Sequence, residues 1–191
     1  MKSFVRVLLA TAVLALAGCG AKYEEADPAV NGRIVIHSDG HVDAHVCGEF
    51  SKDYYSEDEL VQMVNDEISA YEGRISLTGH NSGNGEVSLD LTFDNCDTYE
   101  DYMTLKLFCG TVQGAYDKSY DFNRVLKRAG NPDEIISKEQ LNNMADAKII
   151  IFEGAQTCVC PGNINYYSQE LKLINQNTVQ SAEDGMYYII Y

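Results

Sequence analysis

Arg33-Ile34-Val35-Ile36-His37-Ser38-Asp39-Gly40-His41-Val42-Asp43-Ala44-His45-Val46 decides the fold class. Ile34 and Ile36, then Val42, Ala44 and Val46, recur at every second position, the period of a strand with one buried face. Asp39-Gly40 between the two runs is turn chemistry, so Arg33 to Phe50 reads as a β-hairpin. Loop length decides which side chains meet. A two-residue loop at Asp39-Gly40 pairs Ile36 with Asp43 and mixes apolar with charged groups. A three-residue loop, Asp39 to His41, pairs Ser38 with Val42, Ile36 with Ala44 and Ile34 with Val46. It collects all five apolar residues on one face, and burial favours it.

Downstream, Ser56-Glu57-Asp58-Glu59 matches a capping box with acidic residues in the first helical turn. Leu60, Val64, Ile68 and Tyr71 follow at helical spacing, predicting a helix from about Glu57 to Tyr71 that ends near Gly73. Ile75 and Leu77, a turn at Ser82-Gly83-Asn84-Gly85 and the alternation Val87, Leu89, Leu91, Phe93 read as a second hairpin, with Ser88, Asp90, Thr92 and Asp94 facing out. Asp97 to Leu105 reads as helix, Phe108-Cys109 as a short strand and Val112 to Tyr116 as a helical turn. Asn131-Pro132 is expected to turn, and Ser137-Lys138-Glu139-Gln140 is a second capping box opening a helix to about Ala145. From Lys148 onward the chain reads as strands at Lys148–Glu153, Thr157–Cys160, Ile164–Ser168, Leu171–Asn175 and Met186–Tyr191. Hairpins alternating with isolated helices predict an α+β fold: antiparallel sheets, a few packed helices and a β-rich C-terminal part. Residues 32–191 are expected to form one domain.

The 191 residues suit one ordinary domain, and a hydrophobic fraction of 45% with only three Pro argues against wholesale disorder. A formal net charge of −15 disfavours nucleic acid as a partner, because phosphates call for clustered Lys and Arg.

The N-terminus has the grammar of a targeting segment. Lys2 and Arg6 form a basic start, and Val7 to Leu16 is apolar except for Thr11, too short to span a bilayer. Leu16-Ala17-Gly18-Cys19 then resembles the lipobox of bacterial lipoproteins. That resemblance implies removal of residues 1–18, acylation of Cys19 and anchoring at the extracytoplasmic face of the cell membrane. The plainer alternative is an ordinary secretory signal with an incidental cysteine. Removing residues 1–18 takes two basic residues and no acidic one, leaving 12 against 29 and a net charge of −17. Residues 19–31 read as the lipidated end and a charged tether, whose twelve residues from Gly20 to Asn31 reach about 40 Å when extended. Phe50-Ser51-Lys52-Asp53-Tyr54-Tyr55-Ser56-Glu57-Asp58-Glu59-Leu60 and Leu107-Phe108-Cys109-Gly110-Thr111-Val112 are similar to segments of uncharacterised lipoproteins of gut clostridia. That family has no established activity, so the likeness adds surface display and no mechanism.

Three of the four His fall in the stretch from His37 to Glu49, where His37, Asp39, His41, Asp43, His45, Cys47 and Glu49 make every odd position a potential metal ligand. His41 and His45 have H-x-x-x-H spacing but lack the Glu of the zinc-peptidase motif. On a strand they lie about 13 Å apart, too far for one zinc ion. Across the hairpin, His37 faces Asp43, with His45 two residues along, and this trio is the candidate transition-metal site. The bland reading is a solvated strand face with a His37–Asp43 surface pair.

Five further cysteines leave at least one unpaired in a monomer. Cys96 and Cys109 would enclose a helix, and Cys158 and Cys160 are poorly placed to bridge each other. The favoured reading is mostly buried thiols. Tyr54-Tyr55, Tyr166-Tyr167 and Tyr187-Tyr188 either offer stacking platforms or place one ring inside and one outside by strand alternation. Gly79-His80-Asn81-Ser82-Gly83 sets a Ser near a His without an orienting partner, and the G-x-S-x-G, P-loop and G-x-G-x-x-G motifs are absent.

These features favour a non-enzymatic, lipid-anchored binding module that meets a ligand or envelope protein and calls for no cofactor. The alternative is a metal-binding surface protein. A third reading, an envelope hydrolase assembled from distant residues, requires a concave pocket holding a nucleophile–base pair.

Overall fold

The computed structural model describes residues 23–52 and 54–191, so the expected signal segment and Cys19 lie outside the described residues. In chain order the elements are β1 (Arg33–Ile36), β2 (Val42–Glu49), α1 (Glu57–Ser69), β3 (Ile75–Gly83), β4 (Glu86–Phe93) and α2 (Cys96–Met103). Then come β5 (Leu107–Thr111), α3 (Val112–Asp117), β6 (Leu126–Arg128), β7 (Asn131–Ile135) and α4 (Lys138–Asn142). The remainder is β8 (Lys148–Glu153), β9 (Thr157–Val159), β10 (Tyr166–Ser168), β11 (Lys172–Asn175), β12 (Thr178–Gln180) and β13 (Met186–Ile190). They form a seven-stranded sheet, β11-β12-β9-β1-β2-β4-β3, and a six-stranded sheet, β5-β8-β13-β10-β6-β7. Only the β1–β9 ladder is parallel among the described residues. The fold is α+β, as the sequence predicts.

Local chemistry explains the element starts. Ser56 caps α1 through the Glu59 amide, Asn95 caps α2 through Thr98, and Ser137 with Gln140 completes a reciprocal capping box on α4. The first hairpin has the expected odd loop, two residues out of the expected register. Ile36 pairs with Val42 and Ile34 with Ala44, so the loop is Ser38-Asp39-Gly40 rather than Asp39 to His41. Gly40, at φ +97°, occupies the left-handed third position that such a loop requires; the expected register would have put His41 there. The apolar set stays on one face because the slip is even. His37 and His41 now face each other, with the His37 amide donating to the His41 carbonyl at 3.0 Å.

Asn131-Pro132 does not turn. It opens β7, an edge strand where a missing N–H is tolerated, and Ala129-Gly130 makes the turn. β6 and β12, each three residues long, are too short for periodicity to register in the sequence. Residues expected to run free as a tether are docked from Glu24. Its amide donates to the Leu173 carbonyl at 2.7 Å, the Asp27 amide donates to Gln180 Oε1 at 2.6 Å, and Gln180 Nε2 returns a bond to the Asp27 carbonyl at 3.2 Å.

The main core lies between the sheets. Ile34, Ile36, Val42, Ala44, Leu91 and Phe93 of the first share one apolar cluster with Leu107, Ile150, Phe152, Tyr187 and Ile189 of the second. The second sheet is covered on its other side too, where Ile149, Ile151, Tyr188 and Ile190 join Val112 and Ala115 of α3 and Leu141 of α4. This is why Lys148–Glu153 reads as an unbroken apolar run, and why Tyr187 and Tyr188 are both buried. The expected one-in, one-out arrangement is approached only at Tyr166-Tyr167, where Tyr167 is buried and Tyr166 half-buried against the second cluster; Tyr54 and Tyr55 are both exposed. The outer face of the first sheet, by contrast, carries Arg33, Val35, Asp43 and His45, none of them buried.

Cys96 and Cys109 are disulfide-bonded, tying the start of α2 to β5 across 13 residues, while Cys158 and Cys160 are buried free thiols as expected. Closing a loop of this size restrains the unfolded chain by about 3 kcal/mol in the chain-entropy picture. The Cys96→Ala, Cys109→Ala double replacement is therefore expected to lower the unfolding free energy extrapolated to water by that amount, with a steeper urea slope because the unfolded chain loses its cross-link. A loss below about 1 kcal/mol would show that the bridge adds little restraint.

Candidate functional site

β2 runs between β1 and β4, and its outward residues collect partners from both neighbours. Across to β4, Asp43 stands opposite Thr92, His45 opposite Asp90 and Cys47 opposite Ser88. Toward the turn, His37 Nε2 lies 2.9 Å from Asp43 Oδ2, and the His37 and His41 rings stack at 3.8 Å with an 11° interplanar angle. Each of His37, His41 and Asp43 offers a ligand atom within 4.8 Å of the other two, and no other such cluster of three occurs among the described residues. Thr92 Oγ1 donates to Asp43 Oδ1 at 2.6 Å, and Asp39 Oδ1 meets His41 Nδ1 at 2.5 Å. These contacts orient two of the three donors from outside the cluster. Burial raises the Asp43 carboxyl, but the Thr92 hydroxyl and the His37 and His41 rings outweigh it and hold the group below the usual carboxylate range. Asp43 is thus an anionic ligand at neutral pH.

His45, expected in this trio, belongs elsewhere. Its Nδ1 lies 2.7 Å from Asp90 Oδ1 and its Nε2 lies 3.3 Å from Cys47 Sγ. The hairpin slip explains the exchange: His41, read as a loop residue, pairs with His37 and takes the place assigned to His45. Burial pushes the Cys47 thiol up, with Glu86 and Asp90 adding to the effect, so the sulfur is protonated at rest. On the opposite face of β3, His80 Nδ1 meets Glu57 Oε1 at 2.7 Å, and Ser82 donates to the other oxygen of the same carboxylate. Ser82 and His80 therefore share an acid rather than forming a nucleophile–base pair. Those two bonds keep the Glu57 carboxyl below its usual range.

An open concavity of about 630 Å³ covers this face, lined by Arg33, Asp43, His45, Thr78, Asp90 and Thr92 among others. A second, of about 510 Å³, shares Val30, Asn31 and His45 with it and adds Cys47, Asn81 and Glu86. Asp90 and Thr92 are outward residues in the sequence alternation too. What periodicity lacks is the β2–β4 register that sets them against His45 and Asp43. No family model matches this chain, and neither a curated protein nor a solved structure does.

Proposed function

We propose that the protein is a lipid-anchored extracytoplasmic binding module whose ligand is a divalent transition-metal ion, held by His37, His41 and Asp43. The lipobox-like Leu16–Cys19 supports the anchor. The observation that carries the ligand is the convergence of two imidazoles and one carboxylate within 4.8 Å on paired strands. Imidazole with carboxylate suits zinc, copper and nickel rather than calcium or magnesium. Three protein donors leave a coordination position open, so the ion could be exchanged or shared with a ligand carried by an envelope partner. The surface-pair reading of His37 and Asp43 accounts for one contact and leaves the His41 stack and the Thr92 bond without a role.

Calorimetric titration of the full chain with zinc is expected to give one site at micromolar metal. His37→Ala and His41→Ala should each abolish the heat, and Thr92→Val, which removes only the bond that aims Asp43, should weaken binding by roughly 10–100-fold. Affinity should fall on acidification, because protons compete with the metal for the ring nitrogens while Asp43, held below its usual range, stays ionised longest. No heat at micromolar zinc, copper or nickel would overturn the metal reading.

A further inference from the structure

Cys47, His45 and Asp90 form a chain of contacts that metal binding does not use. The thiol sits at Nε2 of the ring and the carboxylate at Nδ1, on opposite edges, so the three cannot close around one ion. Opposite edges are what a proton relay needs: a carboxylate that accepts from Nδ1–H leaves Nε2 free to accept from the S–H group. The fold gives Asp90 its position in three ways. It pairs directly with His45 across the β2–β4 ladder. On its other side the β3–β4 register shifts between Leu77 and Gly79, and Thr78 Oγ1 donates to the Asp90 carbonyl at 3.1 Å. Gly79 faces Asp90, and a Cβ there would lie 2.8 Å from Asp90 Oδ2, so the missing side chain is the space the carboxylate occupies.

We infer that Cys47 and His45 are a nucleophile and its general base, positioned by Asp90, and that the site takes an acyl group from an uncharged or cationic ester. The two concavities meet at His45, giving a substrate room on either side of the ring. Glu86 and Asp90 near the thiol repel carboxylate substrates and favour neutral or positive ones. Asn31, Asn81 and Asn84 line the cavity that holds Cys47 and are the side-chain amides available to the oxyanion. In the first step the sulfur bonds the carbonyl carbon as its proton passes to His45 Nε2. The carbon–oxygen bond of the ester then breaks, the alcohol leaves with that proton, and a thioester remains on Cys47. In the second step His45 takes a proton from water, the hydroxide attacks the thioester, the carbon–sulfur bond breaks, and the proton returns to sulfur as the acid departs. This inference goes beyond metal binding and does not depend on it.

The test is p-nitrophenyl acetate added to the full chain in the presence of a chelator, which separates the outcome from that of the metal reading. Release of p-nitrophenolate and peptide mass spectrometry should together show acetyl transfer to Cys47. His45→Ala should slow acylation by at least about 10²-fold. Asp90→Asn and Gly79→Ala should slow it as well, and Asp90→Glu, which restores a carboxylate, should recover part of the rate. Equal acylation of Cys47 with and without His45 would overturn the inference, as would an acetyl group found only on Cys19 or on lysines.

Discussion

Phe152→Ala is expected to destabilise the protein by about 3–5 kcal/mol, the range for deleting a fully buried aromatic ring. Phe152 is fully buried on β8, the strand next to the β5 edge of the second sheet. Its strand neighbours are Leu107 on one side and Tyr187 on the other, and its ring centroid lies 5.4 Å from that of Tyr187. Its own strand, β8, is hydrogen-bonded to β5 on one side and β13 on the other, so its backbone has little freedom to collapse into the cavity. The loss then includes the void as well as the transfer energy. Urea unfolding should show a lowered midpoint at nearly constant slope. Tyr54→Ala, at a ring 77% exposed, should change stability by no more than about 0.5 kcal/mol. A loss under about 1 kcal/mol for Phe152→Ala would mean that the two sheets are not packed through this residue.

Much of this architecture is legible in the chain because caps and turns are local chemistry. Ser56, Ser137 and the Val87–Phe93 alternation each carry their own instruction, and α1, α4 and β4 follow. The hairpin's parity is likewise legible from five apolar residues, but its register is not, since a slip of two keeps every side chain on its face. The left-handed demand met by Gly40 breaks that degeneracy. Pro132 shows the complementary failure, since its turn signal is equally compatible with an edge strand. The parallel β1–β9 pairing joins residues more than a hundred apart, and nothing local encodes it.

The same distinction divides the site. His37 and Asp43 come together within one hairpin, so the sequence brings them into contact even with the register two residues off. Asp90 and Thr92 reach β2 from a separate hairpin, and Cys47 gains its meaning from His45 only once Asp90 fixes the ring. The second sheet is covered on both faces. That leaves the outer face of the first sheet to carry polar chemistry, and there the His, Cys and Asp residues converge.

Cys19→Ala should move the protein from the membrane fraction to the soluble one almost completely, and should abolish incorporation of labelled palmitate. A single acyl chain partitions with a constant near 10⁴ M⁻¹, marginal for retention, whereas each further buried methylene adds about 0.8 kcal/mol, so two or more chains hold firmly. No described helix is long and apolar enough to cross a membrane, and residues 19–191, with 12 basic against 29 acidic residues, are repelled by anionic headgroups. The docking of Glu24 onto Leu173 sharpens the expectation. Only the five residues 19–23 precede the docked Glu24, with a reach of at most about 17 Å rather than the 40 Å of a free tether. The acidic body then stands near the surface, where its repulsion extends over a Debye length of about 8 Å and works against the acyl chains. Release of the Cys19→Ala protein should therefore be complete at low salt and remain nearly so at physiological ionic strength. Retention of the variant in the membrane fraction at either salt would refute acylation as the anchor.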